Sequence, residues 1–401
     1  MKKILFSAAL TLAFVSCSRD EVVEINRDGD EIQFNVVSDA ATRAADVYCN
    51  NNMPTEFKVW AAVFNELSGG APYIEGDVIK REGTGPYTWK NTSGVRYWPE
   101  GELQFYAVVN EGSYFLDQGA APYYIKNYRV PANVKDQKDI LYAISKKTTK
   151  STSPVTLNFR HALSQIVFRA QNKNQNIYVK IKGVTICNLY GTGTLTLPAG
   201  NFNTDGNIVN HDGNGATGTD INNWEVGILD QANKLQLANG GDSDYSVTFT
   251  AVEVLGNKEV KPLTSANDTG KEFSSNAMLL LPQTTTAWAP AKGNGNPEKQ
   301  DGSYFLVDCD IFNVSNPSEG YRENYEGDQC LWSGPVAIPA GFDWKEGKKY
   351  VYTFVFGDGN GGYKPDPGPD PEPVLTPITF EVTVDDFVPV GNKDYDMTKK
   401  N

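Results

Sequence analysis

The feature that most restricts this chain is how its apolar residues repeat. Ile32, Phe34 and Val36 fall on every second position, as do Phe57, Val59, Ala61 and Val63, and again Leu103, Phe105, Ala107 and Val109. Successive side chains point to opposite faces of a strand, so this period puts one face in a core and the other in water. The alternation returns at Tyr245, Val247, Phe249 and Ala251, and at Tyr350, Tyr352, Phe354 and Phe356. Nowhere does an apolar stripe hold helical spacing over three turns. Only Val134 to Ser145 offers room for a short helix. Turn clusters such as Ser68-Gly69-Gly70 and Gly83-Thr84-Gly85-Pro86 separate the strands. With 37 Gly, 22 Pro, 20 Tyr and 19 Phe against 4 Met, the composition fits aromatic-rich strands joined by turns. The fold class is therefore all-β.

A length of 401 residues exceeds one typical domain. A polar bridge, Lys146-Lys147-Thr148-Thr149-Lys150-Ser151-Thr152-Ser153-Pro154, breaks the pattern and sets the expected boundary near residue 152. This gives an N-terminal β-sandwich over 17–152 and a C-terminal one over 153–362. Val155-Thr156-Leu157, Leu163 to Ala170 and Ile177 to Ile181 read as the opening strands of the second. Residues 363–401 differ in kind: Pro365-Asp366-Pro367-Gly368-Pro369-Asp370-Pro371 reads as a stiff linker, and Ile378 to Val384 as a strand. That strand can be the edge of its own domain, or it can pair elsewhere on its tether.

The beginning of the chain is a targeting signal. Lys2-Lys3, an apolar run from Ile4 to Val15 broken only by Ser7 and Thr11, and then Ser16 make residues 1–16 a secretory signal peptide, too short to span a bilayer. Cleavage after Ser16 leaves Cys17 first, either acylated or incidental to ordinary export; two or three acyl chains would anchor it stably. The polar patch Ser18-Arg19-Asp20-Glu21 favours the outer face of the outer membrane.

The formal net charge is -13, and loss of Lys2 and Lys3 makes it -15, with no basic stripe, so no nucleic-acid partner is expected. Cys49, Cys187, Cys309 and Cys330 allow three pairings that spacing cannot separate; Cys309 and Cys330 can be a pair or two thiols.

Signatures of catalysis are missing from the sequence. His161 and His211 are the only histidines, and neither has a second histidine at metal-ligand spacing. Cys-x-x-Cys, His-Glu-x-x-His and Gly-x-Ser-x-Gly do not occur. Gly213, Gly215, Gly218 and Gly357, Gly359, Gly362 match a phosphate-loop spacing, but no helix start follows either, so both read as loops. Asp385-Asp386 is the sort of acidic pair that 49 carboxylates produce by chance. A glycoside hydrolase would need two opposed carboxylates, and no pair stands out. Neither an enzyme nor a cofactor is expected.

Several phrases resemble the fimbrillin and minor-fimbrillin-like (Mfa-like) lipoproteins of type V pili. They are Arg96-Tyr97-Trp98-Pro99 with Leu103-Gln104-Phe105-Tyr106-Ala107, Phe159-Arg160-His161-Ala162-Leu163-Ser164-Gln165-Ile166, Leu279-Leu280-Leu281-Pro282-Gln283, and Gly347-Lys348-Lys349-Tyr350-Val351-Tyr352-Thr353-Phe354, in the family's order. The resemblance implies two tandem transthyretin-like β-sandwich domains, an acylated precursor at the outer membrane, and assembly by donor-strand exchange. An arginine-specific protease would cut between Arg43 and Ala44, releasing the strand at Ile32 to Val37. Ile378, Phe380, Val382 and Val384 would then fill the vacated slot of a neighbour. Arg43 can equally be an ordinary surface arginine. The implied partners are other pilus subunits, the outer membrane through the lipid, and a receptor on a host or bacterial surface. The competing function is an outer-membrane glycan-binding lipoprotein, with Trp224, Trp288 or Trp332 stacking on sugars.

Overall fold

The computed structural model describes residues 30–38, 54–66, 70–83, 87–109, 124–197, 223–226, 228–229, 235–236, 243–264, 277–288, 302–316, 318–358, 362–364 and 378–386. The first part lays down β1 (Phe34–Ser38), β2 (Glu56–Phe64), β3 (Ala71–Glu82), β4 (Thr88–Asn91), β5 (Glu102–Val109), β6 (Tyr124–Arg129), β7 (Leu141–Ile144) and β8 (Val155–His161). Then come β9 (Ser164–Asn172), β10 (Ile177–Leu189), β11 (Thr192–Thr196), β12 (Trp224–Val226), β13 (Ile228–Leu229), β14 (Leu235–Gln236) and β15 (Ser243–Val254). The last are β16 (Val260–Pro262), β17 (Met278–Leu280), β18 (Tyr304–Asn313), β19 (Gln329–Pro339), β20 (Lys348–Phe356) and β21 (Ile378–Asp386).

The first sheet runs β1-β8-β7-β5-β2-β3-β4, and within it only the β1–β8 pairing is parallel. Its two ends nearly meet. The lead-in to β1 bonds to the segment after β4, with Ile32 N–H donating to Arg96 O at 2.8 Å and Trp98 N–H to Asp30 O at 3.3 Å. The sheet thus closes into a barrel-like wrap around Phe34, Phe57, Trp98, Phe105, Leu157 and Phe159, all buried. Barrel closure removes the open edges that would otherwise recruit other strands.

The opposite face of β5 and β7 is also apolar. Tyr106, Val108, Tyr142 and Ile144 join a second core shared with the rest of the chain. This explains why β5 and β7 read as unbroken apolar runs: both faces are covered. Strand β6 leaves the first sheet and pairs with β11, which pairs in turn with β12, bringing Tyr128 within 5.8 Å of Trp224, ring centre to ring centre.

Beyond β8 lie a four-stranded antiparallel sheet, β15-β10-β18-β19, and a second sheet, β16-β9-β20-β21, with β17 also on β9. In the latter, β9 and β20 run parallel. Aromatic rings fill the space between them: Phe305 on β18 meets Phe354 on β20 edge to face at 5.2 Å and Phe168 on β9 at 6.0 Å. Such pairs add roughly 0.5–1.5 kcal/mol each beyond the area they bury.

Two local expectations change. Residues 134–145 hold no α-helix; a 3-10 turn at Val134–Asp136 leads to strand β7. The turn is capped by Asn133, and Leu141 to Ile144 has a place ready between β5 and β8, where ladder hydrogen bonds outweigh weak helical propensity. Strand β8, expected in the second sandwich, lies between β7 and β1 and buries Val155, Leu157 and Phe159 in the first core. The chain crosses to the other sheets at Ala162-Leu163, where Trp224 Nε1 donates to Ala162 O at 2.6 Å and Gly347 N–H to Leu163 O at 3.0 Å.

Candidate strand-exchange site

The barrel-like sheet has one short stave that the chain could lose without unthreading anything else: residues 30–38, ending in β1. Ile32, Phe34 and Val36 point inward, 3%, 6% and 1% exposed. Phe34 packs edge to face on Phe105 at 5.5 Å and on Phe57 at 6.2 Å, and Trp98 stands 5.8 Å from Phe105. Parallel pairing sets Phe34 opposite Val155, Val36 opposite Leu157 and Ser38 opposite Phe159. Val155 N–H donates to Gln33 O at 2.7 Å. Burying three such side chains contributes on the order of 5–9 kcal/mol. Whatever replaces this stave must supply a similar set.

The other rim is fixed by charge. Arg96 grips Asp77 in a fork, Nε to Oδ2 at 2.7 Å and Nη2 to Oδ1 at 2.9 Å, and Asn91 adds a bond of 2.7 Å to Oδ2. Burial alone would push the Asp77 carboxyl up, but the bonds from Arg96 and Asn91 more than offset it and hold the group below the usual carboxylate range. Tyr73 OH donates to Tyr97 O at 2.5 Å. The Arg96-Tyr97-Trp98 phrase therefore has a physical role, in which its backbone receives the stave while its side chains brace that backbone from the far side.

The expected donor segment is ordered as β21, an edge strand antiparallel to β20, with Phe356 opposite Ile378, Phe354 opposite Phe380, Tyr352 opposite Val382 and Tyr350 opposite Val384. Ile378 is fully buried, and Phe380 packs on Phe305 at 5.4 Å and Tyr352 at 5.9 Å. The same face then runs out of cover. Val382 is 46% exposed and Val384 55%. β21 is thus docked at one end with its apolar face half unused.

Comparison of the two strands reveals a signal that alternation alone does not isolate. The inward triad of the stave is Ile32-x-Phe34-x-Val36, and β21 carries Ile378-x-Phe380-x-Val382. The knobs are identical in type, order and spacing.

Cys17, Arg43, Ala44 and Cys49 lie outside the described residues, as do His211 and the glycines at 213, 215 and 218. Cys187, Cys309 and Cys330 form no disulfide with one another. Trp224 and Trp288 are both only 6% exposed, too deep to stack on a sugar, and Trp332 turns its Nε1 back to Gly334 O at 3.0 Å. His161 ends β8, with Nδ1 2.7 Å from Asp139 Oδ2. Among the described residues no group of three His, Cys, Asp or Glu could hold a metal ion.

A family model described as fimbrillin-like matches residues 42–386. The chain belongs to the fimbrillin-like family. The match opens next to Arg43, leaves β1 outside, and closes on Asp386, the last residue of β21. Family membership makes this a structural protein and not a catalyst. Among solved structures, this fimbrillin-like chain is similar to a fimbrial protein from Bacteroides vulgatus, with 13% identity, 89% of this chain and 99% of that one covered, and a TM-score of 0.53. It is also similar to a candidate cell-adhesion protein from Parabacteroides distasonis, at 12% identity, 89% and 99% coverage, and a TM-score of 0.44. At these identities the likeness concerns the fold. No curated protein matches the chain.

Proposed function

We propose that this fimbrillin-like chain is an exported, lipid-anchored precursor of a fimbrial subunit, which serves adhesion by joining its neighbours at the outer membrane. Acylation at Cys17 holds the precursor on the surface. Cleavage between Arg43 and Ala44 frees the stave, and a strand with the knobs of β21 takes its place. The organisation fits two tandem transthyretin-like sandwiches, the first completed by β8 and the second running from β9 through β20, followed by the linker and β21. The partners are other subunits, and a surface receptor for the assembled fimbria.

One observation carries this reading: β1 closes the barrel between β8 and Arg96–Trp98, and it directly precedes Arg43. A cut there would remove Ile32, Phe34 and Val36 together and leave an unpaired β8 edge beside an apolar slot. Such an edge takes up an extended segment through backbone hydrogen bonds, with alternate side chains fixing the register.

The connection into β21 supports a travelling strand. Adjacent antiparallel strands need only two to five residues between them, yet 357–377 separates β20 from β21. The excess detours to the edge of the other sheet, where Tyr363 and Ala337 exchange two hydrogen bonds of 2.8 Å.

The test is to treat membrane-bound precursor with an arginine-specific protease and follow it on denaturing gels without heating. The expected product begins at Ala44 and forms high-mass ladders, while an Arg43→Ala chain stays monomeric and a Cys17→Ser chain leaves the membrane fraction. A chain cut at Arg43 that remains monomeric at every concentration sinks the assembly reading.

A further inference from the structure

The stave and β21 share more than a hydrophobic pattern, and the extra likeness bears on who the partner is and how it sits. Laying Ile378 on Ile32 brings Phe380 onto Phe34 and Val382 onto Val36, with strand direction preserved. Phe34 occupies a socket formed by Phe57 and Phe105, both within ring-contact distance. A phenylalanine offered two positions away would leave that socket to an isoleucine or valine and drive its own ring against space shaped for a smaller side chain. Packed interiors tolerate neither change cheaply.

The backbone agrees at the one place where it could object. Laid in this way, Pro377 falls on Glu31, and a proline has no N–H to give. The lead-in does not use that donor: its bonds run from Ile32 N–H to Arg96 O and from Trp98 N–H to Asp30 O. Ile378 N–H and Thr376 O stand at the same places, so both bonds survive. On the other side Val155 N–H, which bonds Gln33 O, finds Thr379 O. Val384 falls on Ser38, opposite Phe159, which adds an apolar residue that the stave lacks.

Resting on the strand-exchange reading above, we infer that the natural occupant of the emptied slot is β21 of a second copy of this chain, bound parallel to β8 with Phe380 in the Phe34 socket. The register sets Phe380 opposite Val155, Glu381 opposite Thr156, Val382 opposite Leu157 and Thr383 opposite Asn158. Two valines that stand half exposed on their own sheet then enter the slot. The chain is its own donor and acceptor, so copies join head to tail in an open series.

Cysteine pairs on the outward face test partner and register together. Thr156 and Glu381 are both exposed, belong to different sheets and lie outside either core, so substitution there leaves the fold intact. In a Cys330→Ser background, Thr156→Cys with Glu381→Cys, cut at Arg43 and mildly oxidised, is expected to give ladders locked by disulfides between copies. Asn158→Cys with Glu381→Cys, displaced by two residues, is expected to give ladders without the lock. A synthetic peptide of residues 374–386 should bind the cut chain and stop ladder growth, and a Phe380→Ala peptide should bind at least about a hundredfold more weakly. Locking by the displaced pair overturns the register. Ladders that neither pair locks overturn the second copy as occupant. If no ladder and no peptide binding appear after cleavage, strand exchange itself fails and the inference falls with it, a result distinct from the other two.

Discussion

Phe34 and Phe105 meet edge to face with ring centres 5.5 Å apart and planes at 87°, joining the first described strand to the middle of the first sheet. The contact ties a detachable segment to the most deeply buried part of the barrel. Phe105 is fully buried, and Trp98 contacts it from another side. Filling this socket completes the first core, which makes it the natural place for the fold to register whether a strand is present.

Phe34→Ala should destabilise the uncut chain by about 3–5 kcal/mol, the usual range for an aromatic removed from a core. Chemical denaturation measures the loss. The same substitution should speed replacement of the stave by added β21 peptide, because the outgoing strand has lost its largest knob while the incoming one keeps Phe380.

Asp77→Ala should loosen the receiving rim. It strips Arg96 of a two-pronged partner and Asn91 of an acceptor, and hydrogen bonds to charged groups are worth about 1.5–3 kcal/mol. The folded-state carboxyl is held below its unfolded value, so its contribution is present above the unfolded value and fades as pH falls through the folded one. Denaturation midpoints for the wild type and the alanine chain should therefore converge in strong acid and separate at neutral pH.

Glu346 should make the junction between the sheets sensitive to pH in the opposite sense. Burial pushes its carboxyl up to about 7, although Asn223 N–H and Tyr142 OH donate to it and the Arg160 charge favours ionisation. A raised acid contributes stability that is complete below its unfolded value, near 4.5, and is lost as pH rises through about 7. The span corresponds to roughly 3 kcal/mol. Glu346→Gln should flatten thermal stability between pH 5 and 8 and exceed the wild type at the upper end.

Shortening the β20–β21 connection separates folding from assembly. Replacing 357–377 by a tight two-residue turn should leave β21 paired with β20 and the monomer folded, as circular dichroism and melting would report. It should also abolish ladders after cleavage at Arg43, because the strand can no longer reach beyond its own sheet. Ladders from the shortened chain would mean that β21 does not travel.

The sequence disclosed its strands through their period of two, because that period is local: Phe57 to Val63 and Tyr350 to Phe356 state their own buried faces. Which sheet each strand joins is a long-range choice that alternation does not encode. Val155 to Phe159 reads the same whether its neighbour is β9 or β1, and β6 gives no hint that it will leave the first sheet for β11. Tryptophans placed among turn residues looked available for stacking, yet Trp224 is drawn inward by a hydrogen bond to Ala162 O at the crossing between sheets. The Ile-x-Phe-x-Val identity between residues 32–36 and 378–382 is present in the letters themselves. Its meaning depends on the structure, which buries all three side chains in the first strand and leaves the last of them half exposed in the second.

If strand exchange builds the fimbria, β8 loses its partner strand on cleavage and regains one on assembly. Amide hydrogen exchange over Val155–His161 tests this most directly, in the uncut chain, in the cut chain held monomeric by dilution, and in the ladder. The expected sequence is protection, then loss of protection, then protection restored. Strong protection of β8 in the cut monomer, or none in the ladder, would contradict strand exchange at this edge.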